Sequence, residues 1–208
     1  GGISPEPIER NYTKSRAALR IKPADFCLVT DGDADRIGGM DGRGNALTSH
    51  QIICLLLEHF IKNRRKRGRV VKGLTTTSMV DVVCLHHGLP LTETGVGFKY
   101  VCREMIKGDV LLGFEESGGI GFPEHVPERD GILAGLMVLE MLSREGKPLT
   151  TLLRRMTVEY GPHEYGRIDL DYPLCHRNAL MRGATKHSPA DLLGSPLNKI
   201  ESFDGIKF

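Results

Sequence analysis

Short apolar runs alternate with longer amphipathic stretches through the middle of the chain. A continuous apolar run of about four to eight residues is typical of a strand buried in a sheet. Such runs predict strands at residues 26–29, 37–40, 69–74, 89–92 and 110–114. Polar residues and glycines follow each run, which indicates that each strand ends in a turn or loop.

The clearest helix signal begins at Thr48, which forms a capping box with Gln51. Apolar residues then recur on one helical face, at Ile53, Leu56, Leu57, Phe60 and Ile61. Further helices are expected over residues 9–20, 78–87, 131–144 and 149–156. Asp130 can cap the helix over 131–144, which is apolar on most sides and is therefore expected to be buried. Strands alternating with helices over residues 48–156 predict one α/β domain.

Composition and charge narrow the range of partners. The chain has 208 residues and a formal net charge of +2, so no global charge points to nucleic acid or a membrane surface. The longest apolar run, residues 131–139, is shorter than the roughly 20 residues that a membrane span needs. The basic run over 62–69 lacks interleaved aromatic residues, which favours a solvated helix end. Five scattered cysteines without a CxxC pair indicate reduced thiols and a cytoplasmic location.

An acidic loop directly follows the first buried strand. Asp31, Asp33 and Asp35 stand at alternate positions, with Arg36 beside them. Oxygen-rich sites suit hard cations, and a bound cation would offset the repulsion between closely packed carboxylates. Arg36 is suited to hold a phosphate group that the metal also contacts. The pattern therefore predicts a site for a hard divalent cation such as Mg²⁺ or Ca²⁺.

Three other interpretations of this loop compete with such a cation site. A calcium loop of the EF-hand type requires Gly at its sixth position and Glu at its twelfth, but Arg36 and Gly42 stand there, so this type is excluded. A phosphatase with Asp31 as nucleophile and Asp33 as acid stays open. A solvated acidic turn also stays open, since Asp and Gly are common in turns, although three alternating aspartates followed by Arg disfavour it.

A second candidate loop follows the strand over residues 110–114. Glu115 and Ser117 stand two residues apart before a pair of glycines. Ligand sites in α/β sheets favour the carboxyl ends of strands. A carboxylate that accepts and a hydroxyl that donates can together hold neighbouring sugar hydroxyls. A tight turn with solvated glutamates explains this segment equally well.

Three further residues are candidate ligand contacts, while others are assigned no chemistry. Lys72 stands at a strand end, and Phe98 and Lys99 close the run Thr-Gly-Val-Gly-Phe-Lys. An ordinary surface lysine is the alternative for Lys99. The segment 128–131 is interpreted mainly as structural. The pair at residues 86–87 is histidine, but no ligand-like partner stands nearby in the sequence, so it is assigned no chemical role.

Taken together, these motifs resemble one enzyme family. The strings Asp-Gly-Asp-Ala-Asp-Arg-Ile-Gly, Thr-Gly-Val-Gly-Phe-Lys and Gly-Phe-Glu-Glu-Ser-Gly occur in the order found in the α-D-phosphohexomutases, the phosphoglucomutase and phosphomannomutase family. The resemblance implies that Asp31, Asp33 and Asp35 bind Mg²⁺ together with a phosphoserine oxygen, and that Arg36 contacts the phosphoserine. It further implies that the substrate is bound by Glu115, Ser117, Lys72, Phe98 and Lys99.

The chain departs from the family pattern at a few positions. Phe114 and Gly95 replace the usual Gly and Pro. Gly119 stands where some relatives carry a histidine that can act in proton transfer, so any such role must belong to another residue. The phosphoserine loop Thr-Ala-Ser-His-Asn-Pro and the phosphate-binding loop Arg-x-Ser-Gly-Thr-Glu-Pro are absent from the sequence.

The resemblance also carries expectations for fold, function and partners. We expect a mixed-sheet α/β sandwich domain over residues 48–158, flanked by the end of one domain over 1–47 and the start of another over 159–208. The implied activity is phosphoryl transfer between C1 and C6 of a hexose phosphate, with glucose as the expected hexose and mannose as the alternative. The partners are then a hexose phosphate, a hexose bisphosphate and the missing domains of a longer parent chain. We expect the 208 residues alone to be inactive; a noncatalytic sugar-phosphate-binding module is a further alternative.

Overall fold

The computed structural model describes residue 2 and residues 4–168, 170–197 and 199–208. The chain divides into two compact units, Gly1–Glu164 and Tyr165–Phe208. In the described part of the chain, no helix combines the length and the apolar character that a membrane crossing demands. The domain boundaries expected at residues 47 and 158 stay predictions.

The first unit begins with a small antiparallel sheet. Its elements are α1 (Thr13–Ile21), β1 (Phe26–Thr30), β2 (Ile37–Asp41) and β3 (Ala46–Leu47). The strands pair in the order β1–β2–β3, with Thr30 opposite Ile37, so the acidic loop connects β1 to β2. The helix expected over 9–20 is divided into a 3-10 turn at Glu9–Asn11 and α1.

A mixed five-stranded sheet forms the centre of the first unit. Its strands are β4 (Arg69–Gly73), β5 (Leu91–Thr94), β6 (Val110–Phe114), β7 (Ile120–Phe122) and β8 (Val126–Arg129). They lie in the order β5–β4–β6–β7–β8, with β4 parallel to β5 and β6, and the remaining pairs antiparallel. The predicted mixed α/β fold is therefore confirmed. Two strands of this sheet were not predicted: β7 is only three residues long, and β8 is largely exposed and lacks an apolar run.

Helices cover both faces of this sheet. They are α2 (Ser49–Glu58), α3 (Met79–His87), α4 (Phe98–Met105), α5 (Gly131–Glu145) and α6 (Leu149–Tyr160). Residues of α2, α3, α5 and α6 share one core with the sheet, while α4 packs with Val71 and Val110 in a second core. Val70 belongs to the first core and Val71 to the second, because successive residues of a strand point to opposite faces.

Both predicted helix caps are present. Thr48 accepts a hydrogen bond from the Gln51 backbone, and the Gln51 side chain accepts one from the Thr48 backbone. Asp130 accepts a hydrogen bond of 2.7 Å from the Leu133 N–H at the start of α5. Beyond Glu58 the chain continues as a π-helical turn, His59–Asn63.

One expectation about the helices was wrong, and one helix was not predicted. The helix α5 is not buried all round, because Ile132, Leu136 and Leu139 are each about half exposed on its outer side. The helix α4 was not expected, because the sequence around Phe98 resembles a loop. Its buried residues Phe98, Val101 and Met105 nevertheless follow helical spacing.

The second unit is small and is described by itself. It contains a 3-10 turn at Leu174–His176, the helix α7 (Arg177–Lys186), and the short strands β9 (Asp191–Leu192) and β10 (Ser195–Pro196), which pair antiparallel. None of the described residues of α7 is buried.

Candidate active site

The acidic loop between β1 and β2 brings its three carboxylates together. One oxygen from each of Asp31, Asp33 and Asp35 lies within 4.8 Å of the others. Asp31 is buried, Asp35 is half-buried and Asp33 is exposed. Ala34 adopts a left-handed backbone with φ of 60°, and its carbonyl accepts a 3.0 Å hydrogen bond from the Gly131 N–H at the start of α5. The loop is thus held by a helix from elsewhere in the chain.

The electrostatics of this loop differ from one carboxylate to the next. Burial acts to raise the pKa of Asp31, but hydrogen bonds from the Arg36 side chain (2.5 Å) and backbone (3.2 Å) outweigh it and lower that pKa. The pKa of Asp35 is raised, first by burial and then by the charges of Asp31 and Asp33, against the opposing charge of Arg129. An added divalent cation would relieve this repulsion, and three carboxylate oxygens suit Mg²⁺.

The glycine-rich loop between β6 and β7 closes on itself. The Ser117 hydroxyl donates a 2.6 Å hydrogen bond to Glu115 Oε1. The Glu115 backbone N–H donates to the carbonyl of Gly119, and the Gly118 N–H donates back to the carbonyl of Glu115. Glu115 is buried, which fixes its carboxylate at the carboxyl end of β6.

The two loops are joined through their backbones. Ile37, the first residue of β2, donates a 3.0 Å hydrogen bond to the Gly118 carbonyl, and Arg36 pairs with Gly119 as an isolated bridge. Gly118 has φ of 99°, and a Cβ there would lie 2.4 Å from the Ile37 carbonyl oxygen. Only glycine therefore fits where the loops meet.

Arg129 links the loops through side chains, and the sequence analysis missed this role. Its guanidinium forms an ion pair with Asp35 and a 2.7 Å pair with Glu115 Oε1. It also lies 5.4 Å from the centre of the Phe98 ring. The pKa of Arg129 is raised because its hydrogen bond and ion pairs with Glu115 and Asp35 outweigh the effect of burial. The sequence offered one indication of this role, namely that a basic residue stands directly before the helix-capping residue Asp130.

The other predicted contacts lie in different surroundings. Lys72 is fully buried, and its ammonium pairs with Asp81 and with Glu93 at 3.4 Å. Phe98 is also buried, at the start of α4, whereas Lys99 is exposed with its ammonium over the Tyr100 ring. Substrate contacts by these three residues stay predictions.

The segment after β4 reaches the glycine-rich loop directly. Thr75 donates a 2.6 Å hydrogen bond to the Glu116 carboxylate, and Ser49 donates one of 2.6 Å to the Glu116 carbonyl. The carboxyl ends of β4 and β6, the start of α2 and the acidic loop therefore surround one region. This is the edge of the sheet where α/β proteins bind ligands.

Comparisons with known proteins agree with this geometry. The family "Phosphoglucomutase/phosphomannomutase, alpha/beta/alpha domain III" matches residues 48–160, more than half of the chain. A phosphoglucosamine mutase from Symbiobacterium thermophilum is 36% identical over 163 residues, covering 75% of this chain and 34% of that protein. A phosphoglucomutase/phosphomannomutase from Thermococcus kodakarensis is 27% identical over 204 residues, covering 98% of this chain and 42% of that protein.

A solved structure extends the likeness to three dimensions. It is of a Thermus thermophilus protein with a provisional phosphomannomutase assignment, at 39% identity and a TM-score of 0.76, covering 81% of this chain and 39% of that one. The chain spans about a third of the length of the first curated relatives it matches. The fold, the paired loops and these matches show that the chain belongs to the phosphoglucomutase/phosphomannomutase family.

Proposed function

We propose that this chain is the metal-binding and sugar-binding portion of a phosphohexose mutase. The full protein would move a phosphoryl group between C1 and C6 of a hexose phosphate, with glucose as the expected hexose and mannose as the alternative. The observation that carries the proposal is the link from Asp35 through Arg129 to Glu115. It brings the carboxylate cluster of the acidic loop next to the Glu115 carboxylate, which supports a shared site for a cation and a sugar.

Asp31, Asp33 and Asp35 would hold Mg²⁺. When bound, Mg²⁺ neutralises charge on a transferring phosphoryl group. Arg36 donates to Asp31 through Nε, which orients that carboxylate. Its guanidinium has further N–H donors, and we assign these to the phosphoserine expected from another part of the parent chain.

Glu115 and Ser117 would bind adjacent sugar hydroxyls. In the structure the Ser117 hydroxyl satisfies Glu115 Oε1, so a sugar hydroxyl can take over this hydrogen bond and receive one from Ser117. Adjacent hydroxyls look alike after the sugar turns around, so this pair can hold a bisphosphate in both orientations. Lys99, which is exposed, is the better candidate for a direct contact with phosphate. We assign Phe98 and Lys72 to shaping the site, because the Phe98 ring contacts the Arg129 guanidinium and the Lys72 ammonium donates to the Thr76 carbonyl at 3.4 Å.

The phosphatase alternative is not favoured. Both carboxylate oxygens of Asp31 accept hydrogen bonds from Arg36, one from the backbone and one from the guanidinium. These hydrogen bonds draw charge from the carboxylate and make it a weaker nucleophile, while each oxygen keeps a second lone pair that can bind a cation. Asp31 in this arrangement is suited to charge compensation.

Calorimetric titration with Mg²⁺ tests the metal site. We expect the 208-residue chain to bind Mg²⁺ weakly, because the phosphoserine ligand is absent from the sequence. Asp33→Ala should abolish the Mg²⁺-dependent heat, since it removes one of three ligands from an exposed position where folding is unaffected. Asp25→Ala, at another exposed aspartate, is the matched control and should leave the heat unchanged. The assignment fails if Asp33→Ala binds Mg²⁺ as the parent chain does.

The absence of turnover is tested separately. Incubation of the chain with glucose 1-phosphate and Mg²⁺ should yield no glucose 6-phosphate, because no phosphoryl carrier is present. Isomerisation by the chain alone would contradict this expectation, and release of inorganic phosphate that depends on Asp31 would revive the phosphatase alternative.

A further inference from the structure

A second group of side chains that could bind a metal lies near the amino ends of the parallel strands, away from the candidate active site. The helix α3 starts after the carboxyl end of β4 and ends at His87, shortly before β5 begins. Its last two residues, His86 and His87, meet Glu159 of α6, and one ligand atom from each lies within 4.8 Å of the others. The structure thus supplies the partner that was missing from the sequence around the histidine pair.

The donor set determines which metal would fit. Two imidazoles and one carboxylate are the protein ligands of a common type of zinc site, in which water takes the fourth position. Such a set suits Zn²⁺ and neighbouring first-row metals, whereas Mg²⁺ prefers oxygen ligands alone. His86 Nε2 lies 3.7 Å from Glu159 Oε1, so a single ion can join these two atoms after a small side-chain movement.

A buried polar network contacts the group formed by His86, His87 and Glu159. His87 Nε2 lies 3.1 Å from the Tyr160 hydroxyl, which donates in turn to the carboxylate of Glu58. Tyr160 and Glu58 are both buried. Metal-binding histidines commonly direct their second ring nitrogen to a partner that fixes the tautomer. Because the Tyr160 hydroxyl donates to Glu58, it would accept from His87 Nε2–H, and we assign the other ring nitrogen, Nδ1, to the metal.

The surrounding charges leave room for a cation. Lys62 is the ammonium that faces the group, and it contacts both Glu159 oxygens at 2.8 Å and also pairs with Glu58. Arg155 pairs with Glu58 and with Glu145. Three carboxylates therefore face two cations in this network. Lys62 contacts both Glu159 oxygens and the Tyr160 hydroxyl lies 3.2 Å from Oε1, so a metal would compete with them, but each carboxylate oxygen has a second lone pair.

We propose that His86, His87 and Glu159 form a binding site for a first-row transition metal ion of the Zn²⁺ type. The ion would join the end of α3 to the end of α6 and so stabilise the first unit. Nothing in this site depends on the carboxylates between β1 and β2 or on the proposed mutase activity.

Titration of the chain with Zn²⁺, in the presence of excess Mg²⁺, tests the site. The excess Mg²⁺ competes with Zn²⁺ for the carboxylates between β1 and β2, so the Zn²⁺ binding that persists reports on nitrogen ligands. We expect one Zn²⁺ per chain, at least a ten-fold weaker affinity in Glu159→Gln, and loss of binding in the double variant His86→Ala/His87→Ala. Tyr160→Phe keeps the ring but removes the supporting hydroxyl, and should weaken binding about ten-fold.

Two controls keep the proposal open to refutation. His125→Ala removes another partly exposed histidine that has a carboxylate neighbour, Asp130, and should bind Zn²⁺ like the parent chain. Substitution by Co²⁺ in the unaltered chain should give visible bands of nitrogen and oxygen coordination and requires no variant to fold. Equal Zn²⁺ binding by the double variant and the parent chain, or a thiolate charge-transfer band with Co²⁺, would refute the proposal.

Discussion

The strand β2 has an acidic turn at each end, and the two turns differ in how their carboxylates are satisfied. The turn after β2 contains Asp41, and the loop before β2 contains Asp31, Asp33 and Asp35. At the far end of β2, Asp41 accepts three hydrogen bonds of 2.8–2.9 Å from the Arg43 backbone and from the backbone and side chain of Asn45. At the near end, Asp31, Asp33 and Asp35 crowd together, and Asp35 has a raised pKa. A carboxylate satisfied by its own turn stabilises the fold. Carboxylates that repel one another cost the free protein stability and fit the proposed cation site.

The two turns also differ in how far their shape depends on the rest of the chain. The Asp41 turn is made by residues within four positions of one another. The acidic loop instead needs the start of α5, where Gly131 donates to the Ala34 carbonyl, and it needs Arg129 and Gly118 of the region after β6. The shape of the Asp41 turn therefore depends on neighbouring residues, whereas the shape of the acidic loop depends on contacts with distant parts of the chain.

The largest loss of stability is expected from a substitution that disrupts the contact between the acidic loop and the start of α5. In Gly131→Ala, the added Cβ would lie 2.7 Å from the Arg36 carbonyl oxygen and 2.8 Å from that of Ala34. Because both neighbours are backbone atoms, we expect the free energy of unfolding to fall by about 2–3 kcal/mol. Urea denaturation measures this change, and Mg²⁺ affinity should fall with it. Gly183→Ala, at a helical glycine with open space around it, should cause no loss.

The next effect tests whether the Asp41 turn is structural. Asp41→Asn should lower the free energy of unfolding at pH 7 by about 2 kcal/mol, because hydrogen bonds to a charged acceptor are lost. It should leave Mg²⁺ binding unchanged. Asp25→Asn, at an exposed carboxylate, should stay within about 0.5 kcal/mol of the parent chain. A loss of Mg²⁺ affinity in Asp41→Asn would remove the distinction between the two turns.

The effect of Asp41→Asn on the free energy of unfolding should depend on pH. Burial acts to raise the pKa of Asp41, but the hydrogen bonds from Asn45 and Arg43 outweigh it and lower that pKa. A lowered pKa in the folded state contributes stability that is present above the unfolded value of about 4 and is lost as the pH falls through the folded value. The stability difference between the parent chain and Asp41→Asn should therefore shrink below about pH 4 in urea titrations.

The smallest expected effect is a change in Mg²⁺ affinity on substitution of Arg129. Its guanidinium neutralises Asp35 and so competes with a cation at the loop. Arg129→Met should tighten Mg²⁺ binding by about five-fold, which corresponds to roughly 1 kcal/mol for charges about 4 Å apart near water. Arg103→Met, at an exposed arginine over Tyr100, is the control and should change nothing. If Arg129→Met instead weakened Mg²⁺ binding ten-fold, Arg129 would be required to shape the loop.

Much of the fold was predictable because the signals were local. The capping box at Thr48, the cap at Asp130 and the apolar run of β6 each depend on residues close together in sequence, and the structure contains all three. The strand predicted over 89–92 begins two residues before β5 does. The helix α4 was missed because the glycines before Phe98 indicate a loop, although its apolar spacing is helical.

The candidate site was only partly predictable. Asp31, Asp33 and Asp35 converge as expected, since alternate residues of a short loop stay close. The sequence placed no limit on the burial of Lys72, whose partners Asp81 and Glu93 come from two other elements. Nor did it offer a reason to connect His86 with Glu159, more than seventy positions away.

The sequence by itself determined most of the elements, their caps, the acidic loop and the glycine-rich loop, because each depends on contacts within a few residues. The tertiary structure alone decided which of these loops lie together, through Arg129 and the backbone pairing of Ile37 with Gly118. It also decided which charges are neutralised internally, as at Lys72, and which carboxylates stay crowded together, as at Asp31, Asp33 and Asp35. The physical reason is that electrostatic partners act over a few ångströms of space, whatever their separation along the chain.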